Sequence, residues 1–464
     1  MNHNIAFNIL SDWSHSDKIA YRSEDYDITY RNLASSVRQF ANWLLSRGLQ
    51  QDDRVVILFP DCIDSVIYFL GTIWAGGIPC VINTQSSLTN LQYKLDKIRP
   101  KFIFREIDDS YHAVSDVLEP APRQIDDTAC LIWSSGTGGN PKAIMIPHGP
   151  MLESVKNYAA GMRLTSDEII YCTAKFFFSY GIFQTIFTSI WCGATSVIDS
   201  RMLLPKRIER NIKNFCPTVF LSVPAVYGLM LRATNDTFQH VRCVSSGDIL
   251  PDTLRQRFQQ RFGRGIHSGL GTTETLHIMT LNQMATSGIG QPFQGWIMRL
   301  VDSQGQPVSP GEIGFLQIKT RCRATGYWDD PENTKRVFGG EWISLGDMCI
   351  QDEQGCLHYV GRSGDLIKYN GQYTNLSAIE LLFLTHPDVE QAVVVAATDD
   401  LGHSKISAHV VIKEHSKITS EDLREWIKNR CEFDYYPRSI HLVDQIPRNE
   451  NGKIDRVTLR NQYA

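Results

Sequence analysis

Apolar residues in the first half of the chain follow two alternating patterns. The segment "TYRNLASSVRQFANWLLSRGL" (29–49) begins at a threonine suited to cap a helix, keeps its apolar residues at helical spacing and ends near Gly48. The run "RVVILF" (54–59) is short, continuous and β-branched, which indicates a buried strand. Three more runs share this character: "KFIFRE" (101–106), "CLIW" (130–133) and "SVIDS" (196–200). Because strands separated by helices pair in parallel, the pattern predicts an α/β fold with a mostly parallel sheet covered on both faces.

The pattern changes at about residue 286. Up to residue 361, short strands lie between Gly, Pro and Asp turns, which predicts an antiparallel sheet or a small barrel. These strands are "IMRLVD" (297–302), "FLQIKT" (315–320) and "CLHYVG" (356–361). After residue 365 the helical and strand patterns form one compact α+β unit of the size of a small domain. The domain boundary is therefore expected at "RSGD" (362–365).

Two uncharged apolar runs are long enough to raise the question of a membrane span, 65–82 and 176–198. The first is broken by Gly76, Gly77 and Pro79, which favours a helix, a turn and a strand. The second carries five polar side chains that hydrocarbon would penalise: Ser179, Gln184, Thr185, Thr188 and Ser189. Both runs are therefore expected to be buried elements of a globular protein.

Composition and charge exclude several classes of protein. Of the 464 residues, 42% are hydrophobic and 21% are charged, which are ordinary globular values. The net charge of −4 gives no electrostatic footprint for nucleic-acid binding. The N-terminus lacks a basic region followed by an apolar core, so no secretory signal is predicted. The eleven cysteines include no C-x-x-C pair, which argues against a disulfide framework or a zinc site and favours a cytoplasmic location.

The stretch "SSGTGGNPKA" (134–143) is the first candidate for chemistry. It follows an apolar strand, so its glycines let successive backbone N–H groups converge on an anion. Ser134, Ser135 and Thr137 add hydroxyl donors, and Lys142 adds a charge suited to a polyphosphate. Two residues separate the last glycine from the lysine, so the stretch is not a Walker loop. A flexible surface loop is the alternative interpretation.

Four further stretches combine glycine with charge or hydroxyl groups. In "GLGTTE" (269–274), Glu274 could hold Mg²⁺ while Thr272 and Thr273 bond phosphate or carboxylate oxygens, although a helix start would look the same. In "WISLGD" (342–347), Asp347 could accept from ribose hydroxyls or simply belong to a turn. The other two stretches, "GRSGDLIKYNG" (361–371) and "NENGKIDR" (449–456), would ordinarily be a linker and a hairpin turn.

In their order and spacing these five stretches resemble the core motifs of the adenylate-forming enzymes, the superfamily of acyl- and aryl-CoA ligases, peptide synthetase adenylation domains and luciferase. The resemblance covers nearly the whole chain. It is closest to the benzoate- and anthranilate-CoA ligase branch. The segments that carry this closer likeness are "VINTQ" (81–85), "AKFFFSYG" (174–181), "PTVFLSVPAVY" (217–227), "SSG" (245–247) and "GTTETLHI" (271–278).

The resemblance implies a fold and a domain organisation. Residues 1–361 would form a large ATP- and acid-binding domain of two mostly parallel sheets flanked by helices, with a small distorted β-barrel. Residues 362–365 would be a hinge, and residues 366–464 a small mobile α+β domain that completes the catalytic site.

The resemblance also assigns roles in ATP binding and adenylate formation. Lys453 would bridge the attacking carboxylate and the α-phosphate, Thr273 and Glu274 would assist, and Glu274 would anchor Mg²⁺. Asp347 would bind the ribose, and Arg362 would contact ribose or phosphate oxygens. The remaining nucleotide contacts fall on the first loop and on the third motif: Ser134, Ser135, Gly136, Thr137, Gly139, Lys142, Gly271 and Thr272.

The acid pocket is expected to be of aromatic size. Phe178, Ser179 and Tyr180 would form one wall, while Gly247 and Gly271 leave room for a flat ring. His277, placed on a helix after "TTE", would reach the far edge of the ring. The alternative for a lone histidine is a buried core residue with its hydrogen bonds satisfied. Asp248, where the family more usually has Glu, would favour an amino or hydroxyl substituent.

The thiol half-reaction would use a different face of the small domain. Lys368 and Gly371 match the family positions on that face, and Gly364 stands at the hinge position, where the family usually has Asp or Lys. Two further departures, Gly138 and Ala143, fall in the phosphate loop and put its ATP affinity in doubt.

The expected reaction is therefore ATP-dependent activation of an aromatic acid followed by transfer to CoA, with ATP, Mg²⁺ and CoA as cofactors. One alternative is an aryl- or amino-acid–AMP ligase that loads the phosphopantetheine arm of a separate carrier protein. A second is a non-catalytic ATP-binding homologue. No nucleic-acid partner and no membrane span are expected, and a homodimer is left open.

Overall fold

The computed structural model describes residues 2–134, 141–201, 204–231, 238–363, 366–369, 372–384, 386–398, 404–429, 436–448 and 454–462. The chain divides into two compact units. The first comprises Met1–Met298 and Ile318–Ile343, and the second comprises Arg299–Gln317 and Ser344–Ala464.

The first unit contains a seven-stranded sheet. In spatial order its strands are Ile266–Ser268, Arg242–Ser245, Val219–Ser222, Ile169–Cys172, Thr195–Val197, Ile19–Arg22 and Asp27–Thr29. Every neighbouring pair is parallel except the last, which is an antiparallel hairpin. The predicted strand at 196–200 is confirmed, although it is observed slightly earlier, at Thr195–Val197.

A six-stranded sheet is the second layer of the same unit. Its strands, in spatial order, are Gly326–Tyr327, Lys142–Pro147, Thr128–Ser134, Ile78–Val81, Arg54–Ile57 and Phe102–Phe104. The last four pair in parallel, whereas the first two are antiparallel to their neighbours. The predicted pair of mostly parallel sheets is thus confirmed. A short antiparallel pair, Thr280–Leu281 with Gln291–Pro292, lies outside both sheets.

The helices of the first unit follow the apolar patterns closely. The helix predicted from residue 29 runs from Tyr30 to Ser46, and the Thr29 side chain accepts a hydrogen bond from the Asn32 N–H as its cap. The other α-helices are Ile5–Leu10, Ile63–Trp74, Leu88–Ile98, His148–Met162, Ser179–Ile182, Ser189–Cys192, Pro205–Phe215, Pro224–Met230, Asp252–Phe262 and Pro331–Phe338. A 3-10 helix spans Asp109–Ala113, and a π-helix spans Phe183–Thr188.

Both long apolar runs are buried elements, as predicted. The first is the helix Ile63–Trp74 followed by the strand Ile78–Val81. The second is a continuous helical segment, α then π then α, that ends before the strand Thr195–Val197. Among the described residues, none of the helices combines the length and the apolar character that a membrane crossing needs.

The described residues of the second unit form mostly antiparallel strands, one parallel strand pair and three helices. A four-stranded sheet is ordered Trp296–Val301, Ile313–Thr320, Asp347–Gln351, Leu357–Arg362, which agrees with the change of pattern near residue 286. A hairpin and a three-stranded sheet follow, with strands Leu366–Tyr369, Gln372–Asn375, Val389–Thr398, Ser404–Ile412 and Ser439–Leu442. The helices are Leu376–Leu384, Ser420–Lys428 and Arg456–Gln462. The first two helices share with the strands a core that includes Phe383, Val394, Ala408, Leu423 and Ile427. Leu459 of the third helix packs on other residues of the same strands, so the predicted α+β domain is confirmed.

Two glycines in helices offer a matched test of how tightly the first unit is packed. A Cβ on Gly181 would lie 2.4 Å from the carbonyl oxygen of Lys175 and 2.5 Å from that of Ala174, whereas a Cβ on Gly228 would meet nothing within 4 Å. We expect Gly228→Ala to raise the free energy of unfolding by about 0.5–1 kcal/mol through helix propensity. Gly181→Ala should lower it by about 1–3 kcal/mol, because backbone atoms must move. Urea denaturation followed by tryptophan fluorescence measures both, and equal effects would contradict this packing.

Candidate active site

The predicted phosphate loop connects two neighbouring antiparallel strands. Ser134 ends the strand Thr128–Ser134, Lys142 begins the strand Lys142–Pro147, and the two residues are register partners. The ends of the loop are therefore held side by side, as in a hairpin. The residues Ser135, Gly136, Thr137 and Gly139 lie outside the described part of the chain.

Lys142, Tyr327 and Glu274 form a connected group beside this loop. The Lys142 Nζ lies 4.9 Å from the centroid of the Tyr327 ring, a cation–π distance. The Tyr327 hydroxyl donates a hydrogen bond of 3.1 Å to Glu274 Oε1. Burial raises the pKa of Tyr327 and the Glu274 carboxylate raises it further, so the phenol stays protonated and remains a donor. Two of the predicted nucleotide residues are thus linked through a tyrosine.

Sequence reasoning missed Tyr327. The residue lies in the two-residue strand Gly326–Tyr327, which pairs with the strand that begins at Lys142. It is 53 positions from Glu274 along the chain, so no periodicity or local motif relates the two residues. The Ala324 N–H also donates to the Glu274 carbonyl at 2.9 Å, so the two segments meet only in the folded chain.

The segment after "GLGTT" is a turn, and the helix predicted there is wrong. Gly271 forms an isolated antiparallel bridge with Ile278, and a Cβ on Gly271 would lie 2.7 Å from the His277 carbonyl oxygen. The Thr272 hydroxyl lies 2.7 Å from the Thr275 hydroxyl and accepts a hydrogen bond from the Thr275 N–H. His277 has φ of 71°, which a helix does not allow. The Thr272 side chain thus caps a single turn as an N-cap residue would, but the chain does not continue into a helix.

The predicted acid wall touches the predicted nucleotide motif. Ser179 Oγ lies 2.8 Å from Thr273 Oγ1, a hydrogen bond between residues 94 positions apart. Phe178, Ser179 and Tyr180 are all half-buried, and Phe178 caps the short helix Ser179–Ile182. The structure thus brings one residue of the acid wall and one candidate catalytic residue into direct contact.

His277 is buried among aromatic rings. Its ring centroid lies 3.9 Å from that of Tyr158 and 5.8 Å from that of Phe183. The Ile278 N–H donates to His277 Nδ1 at 3.0 Å, so the ring proton is assigned to Nε2, which lies 2.7 Å from Thr188 Oγ1. Burial lowers the pKa of His277 to about 3, so the imidazole is neutral at physiological pH. The histidine has the satisfied hydrogen bonds of a core residue, yet it adjoins the acid wall through Phe183.

Parallel strands place several candidate segments at one edge of the first sheet. The neighbouring strands Arg242–Ser245 and Ile266–Ser268 end in register, with Ser245 opposite Ser268. Gly247, with φ of 89°, and the segment 269–274 follow these two strands directly. Ligands of open α/β sheets bind outside the carboxyl ends of the strands, so this edge is the expected position for a substrate. Asp248 at this edge is exposed, and its Oδ1 accepts from the Ile249 N–H.

Asp347 and Arg362 pair in the second unit. They are register partners on adjacent antiparallel strands, and Arg362 Nε donates to Asp347 Oδ1 at 3.2 Å. The Tyr359 hydroxyl donates to the same oxygen at 2.8 Å, and Asp347 is only 3% exposed. Burial raises the pKa of Tyr359 and the Asp347 carboxylate raises it further, so this phenol also remains a donor. Sequence reasoning missed Tyr359, which lies in the same strand as the predicted residue Arg362.

The structure gives little or no contact information for the remaining candidate residues. Lys368 lies in the strand Leu366–Tyr369 opposite Tyr373. Gly364, Gly371 and Lys453 lie outside the described residues, so the hinge at 362–365 and the catalytic lysine stay predictions.

The chain is similar to known proteins over nearly its whole length. Residues 12–328 match the AMP-binding enzyme family, and residues 378–453 match the AMP-binding enzyme C-terminal domain. The benzoate–CoA ligase of Thauera aromatica is 30% identical over 96% of this chain and 92% of that protein. A benzoate CoA ligase structure from Burkholderia xenovorans LB400 has a TM-score of 0.90 and 28% identity, covering 99% of this chain and 100% of that one.

A second solved structure is similar over nearly its full length. The anthranilate CoA ligase AuaEII, in complex with anthranoyl-AMP, has a TM-score of 0.90 and 26% identity, covering 100% of this chain and 97% of that one. The chain therefore belongs to the AMP-binding enzyme family, within the adenylate-forming superfamily that its motifs predict.

Proposed function

We propose that the protein activates an aromatic carboxylic acid with ATP and transfers the acyl group to the thiol of coenzyme A. The observation that carries this proposal is the 2.8 Å hydrogen bond between Ser179 and Thr273, which joins the acid wall to the nucleotide motif. By their names, the similar proteins are CoA ligases of benzoate and anthranilate, and they match over nearly their full length. The protein is accordingly an enzyme of the acid–thiol ligase class.

In the first half-reaction, a carboxylate oxygen of the acid attacks the α-phosphorus of ATP. The bond to the β-phosphate breaks and pyrophosphate leaves with the electron pair, so an acyl-adenylate remains. Both reactants are anions, and the main task of the protein is to neutralise and align them. We assign this task at the α-phosphate to Lys453 and at the polyphosphate to Lys142. The position of Lys142 at the end of the loop, over the Tyr327 ring, supports its part.

Glu274 is the residue that would hold Mg²⁺. Its carboxylate offers the hard oxygen ligand that this ion prefers, and Tyr327 fixes one of the two oxygens, so the donor chemistry fits. When bound, Mg²⁺ would offset the charge of the phosphate oxygens. Thr273, already in contact with Ser179, would donate its hydroxyl proton toward the oxygens of the reacting groups.

Asp347 and Arg362 are assigned to the nucleotide sugar. A carboxylate is a suitable acceptor for vicinal hydroxyls, and Tyr359 and Arg362 both hold Asp347 Oδ1 in place. Such a pre-oriented carboxylate loses little freedom when the ribose binds, which favours binding.

In the second half-reaction, the thiolate sulfur attacks the carbonyl carbon of the adenylate. A carbon–sulfur bond forms, the bond from the carbonyl carbon to the phosphate oxygen breaks, and AMP leaves. A lysine placed over the adenylate would block one approach to this carbon. Rotation of the small domain at 362–365, which would bring the segment of Lys368 and Gly371 to the site, removes that block.

Pyrophosphate exchange tests the proposed function directly. The purified protein with ATP, Mg²⁺ and a panel of aromatic acids should exchange labelled pyrophosphate into ATP, and adding CoA should yield the aroyl-CoA. Lys453→Ala should slow exchange about 10²–10³-fold, the effect of losing one donor to developing charge. Lys428→Ala, which removes a charge at the exposed end of the helix Ser420–Lys428, is the matched control and should leave the rate unchanged.

The outcomes of this test separate the alternatives. If no acid on the panel supports exchange, the proposed function is overturned in favour of a non-catalytic ATP-binding protein. An adenylate that persists with CoA but is consumed rapidly by a phosphopantetheinylated carrier protein would instead identify a carrier-loading ligase.

His277 is predicted to contact the aromatic ring of the acid. His277→Ala should raise the KM for the acid about tenfold or more, the scale of a lost contact in an apolar pocket, and leave the KM for ATP unchanged. His267→Ala is the matched control, because His267 lies on the strand Ile266–Ser268 and its Nδ1 bonds the Asn282 carbonyl. Circular dichroism checks that both variants fold. An unchanged KM for the acid would remove His277 from the pocket and leave it a core residue.

Gly364 is predicted to be the pivot between the half-reactions. Gly364→Pro fixes φ and restricts Ser363, so it should leave pyrophosphate exchange intact and slow thioester formation. Gly364→Ala keeps most of the rotational freedom and should affect thioester formation much less. Single-turnover assays that start from acid and ATP, or from a synthetic adenylate and CoA, measure the two steps separately. If Gly364→Pro slows both steps equally, the pivot lies elsewhere.

A further inference from the structure

Three side chains in or beside the acid wall carry buried polar atoms without hydrogen-bond partners. Within the described part of the chain, the hydroxyls of Tyr158 and Tyr180 and both amide atoms of Gln184 have no partner in acceptable geometry. Tyr158 is fully buried and Gln184 is 1% exposed. Burial raises the pKa of Tyr158, and the nearby Gln184 amide offsets part of that rise. The amide and the hydroxyl nevertheless do not form a hydrogen bond.

Other buried tyrosines of the first unit do not share this property. The Tyr21 hydroxyl donates to the Thr185 carbonyl at 2.9 Å, the Tyr30 hydroxyl to the Ala194 carbonyl at 2.6 Å, and the Tyr227 hydroxyl to the Val244 carbonyl at 2.9 Å. Burying a polar group without a partner costs stability, and native proteins rarely accept that cost. Several such groups side by side therefore point to a ligand that completes their hydrogen bonds.

One of the three side chains, Tyr180, belongs to the wall that the acid is proposed to meet, and the other two lie beside it. Tyr180 follows Ser179, the residue that contacts Thr273, and Gln184 lies one helical turn after Tyr180. The Tyr158 ring stacks on His277 with the centroids 3.9 Å apart. Burial raises the pKa of both tyrosines, so their hydroxyls stay neutral and can donate as well as accept.

The local helix geometry also marks this position. Gln184 lies in the π-helix Phe183–Thr188, which interrupts an otherwise α-helical segment. Single π-helical turns are rare and occur mainly at functional sites. The Gln184 amide in this turn faces the Tyr158 hydroxyl.

We propose that Gln184, Tyr158 and Tyr180 recognise a hydroxyl or amino substituent on the ring of the aromatic acid. This inference rests on the proposed function and narrows its substrate class. A substituent that both donates and accepts could pair with an amide and a phenol together, whereas an unsubstituted ring would leave all three groups unpaired. Sites built to hydrogen-bond a substrate group discriminate strongly against analogues that lack it.

A substrate panel tests the proposal. Pyrophosphate exchange is measured with benzoate, the three monohydroxybenzoates, the three aminobenzoates and the three methylbenzoates, which match the substituted acids in size. At least one hydroxybenzoate or aminobenzoate should have a kcat/KM about 10-fold or more above that of benzoate and that of the methylbenzoate substituted at the same position. In Gln184→Leu, the ratio of kcat/KM for the preferred polar acid to kcat/KM for its methyl counterpart should fall toward one. Exchange without preference for a polar substituent, or an unchanged ratio in Gln184→Leu, would overturn this inference alone.

Failure of the proposed function gives a different result in the same assay. No exchange with any of the ten acids would overturn the proposed function, and this inference with it. Exchange with benzoate and the methylbenzoates at full rate would support the function and refute the substituent preference.

Thermal unfolding without substrate gives an independent measurement. Tyr180→Phe and Gln184→Leu remove groups without protein partners, so both variants should melt at or above the temperature of the wild type. Tyr30→Phe is the matched control, and it should melt at a lower temperature because it removes a hydroxyl bonded to a buried carbonyl. If Tyr180→Phe loses as much thermal stability as Tyr30→Phe, its hydroxyl is satisfied within the protein and the proposal is overturned.

Discussion

The parallel order of four neighbouring strands is the constraint on which the candidate site depends. The strands Ile169–Cys172, Val219–Ser222, Arg242–Ser245 and Ile266–Ser268 lie side by side and run in one direction, so their carboxyl ends share one edge. Segments far apart in the chain leave the sheet there, and Ser179 reaches Thr273 across 94 positions. The site thus depends on the register of these four strands, because a shift of one strand against its neighbour would separate the acid wall from the nucleotide motif.

Both units hold a candidate carboxylate by the same means. Tyr327 donates to Glu274 in the first unit, and Tyr359 donates to Asp347 in the second. In each case the phenol lies on a strand of an antiparallel pair, and burial next to a carboxylate keeps it protonated. A buried carboxylate needs donors that fix its oxygens, and a tyrosine provides one without adding charge. Each carboxylate is therefore held in a defined orientation before any ligand binds.

The sequence predicts the elements of this protein better than it predicts their contacts. The spacing of apolar residues and a cap residue locate the helix Tyr30–Ser46, and short apolar runs locate the parallel strands, because burial dictates these patterns. The turn after Thr273 is mistaken for a helix, because its shape depends on a backbone approach at Gly271 that no local pattern records. The contacts of Tyr327, Tyr359 and Thr188 are missed for a related reason. Their importance lies in partners 53, 12 and 89 positions away, which only the folded chain brings close.

The two sides of the site are built from different kinds of element, and this difference has a consequence for specificity. The nucleotide residues Lys142 and Glu274 are fixed by strand pairing and by a turn, which tolerate little change. The residues proposed to recognise the ring substituent, Tyr158, Tyr180 and Gln184, lie on helices, and Gln184 belongs to the π-helix Phe183–Thr188. A change of ring substituent therefore requires new side chains at these helical positions, while the framework for adenylate formation stays the same. The buried, unpartnered groups at Tyr158, Tyr180 and Gln184 fall on the helical side, where selectivity can vary independently of catalysis.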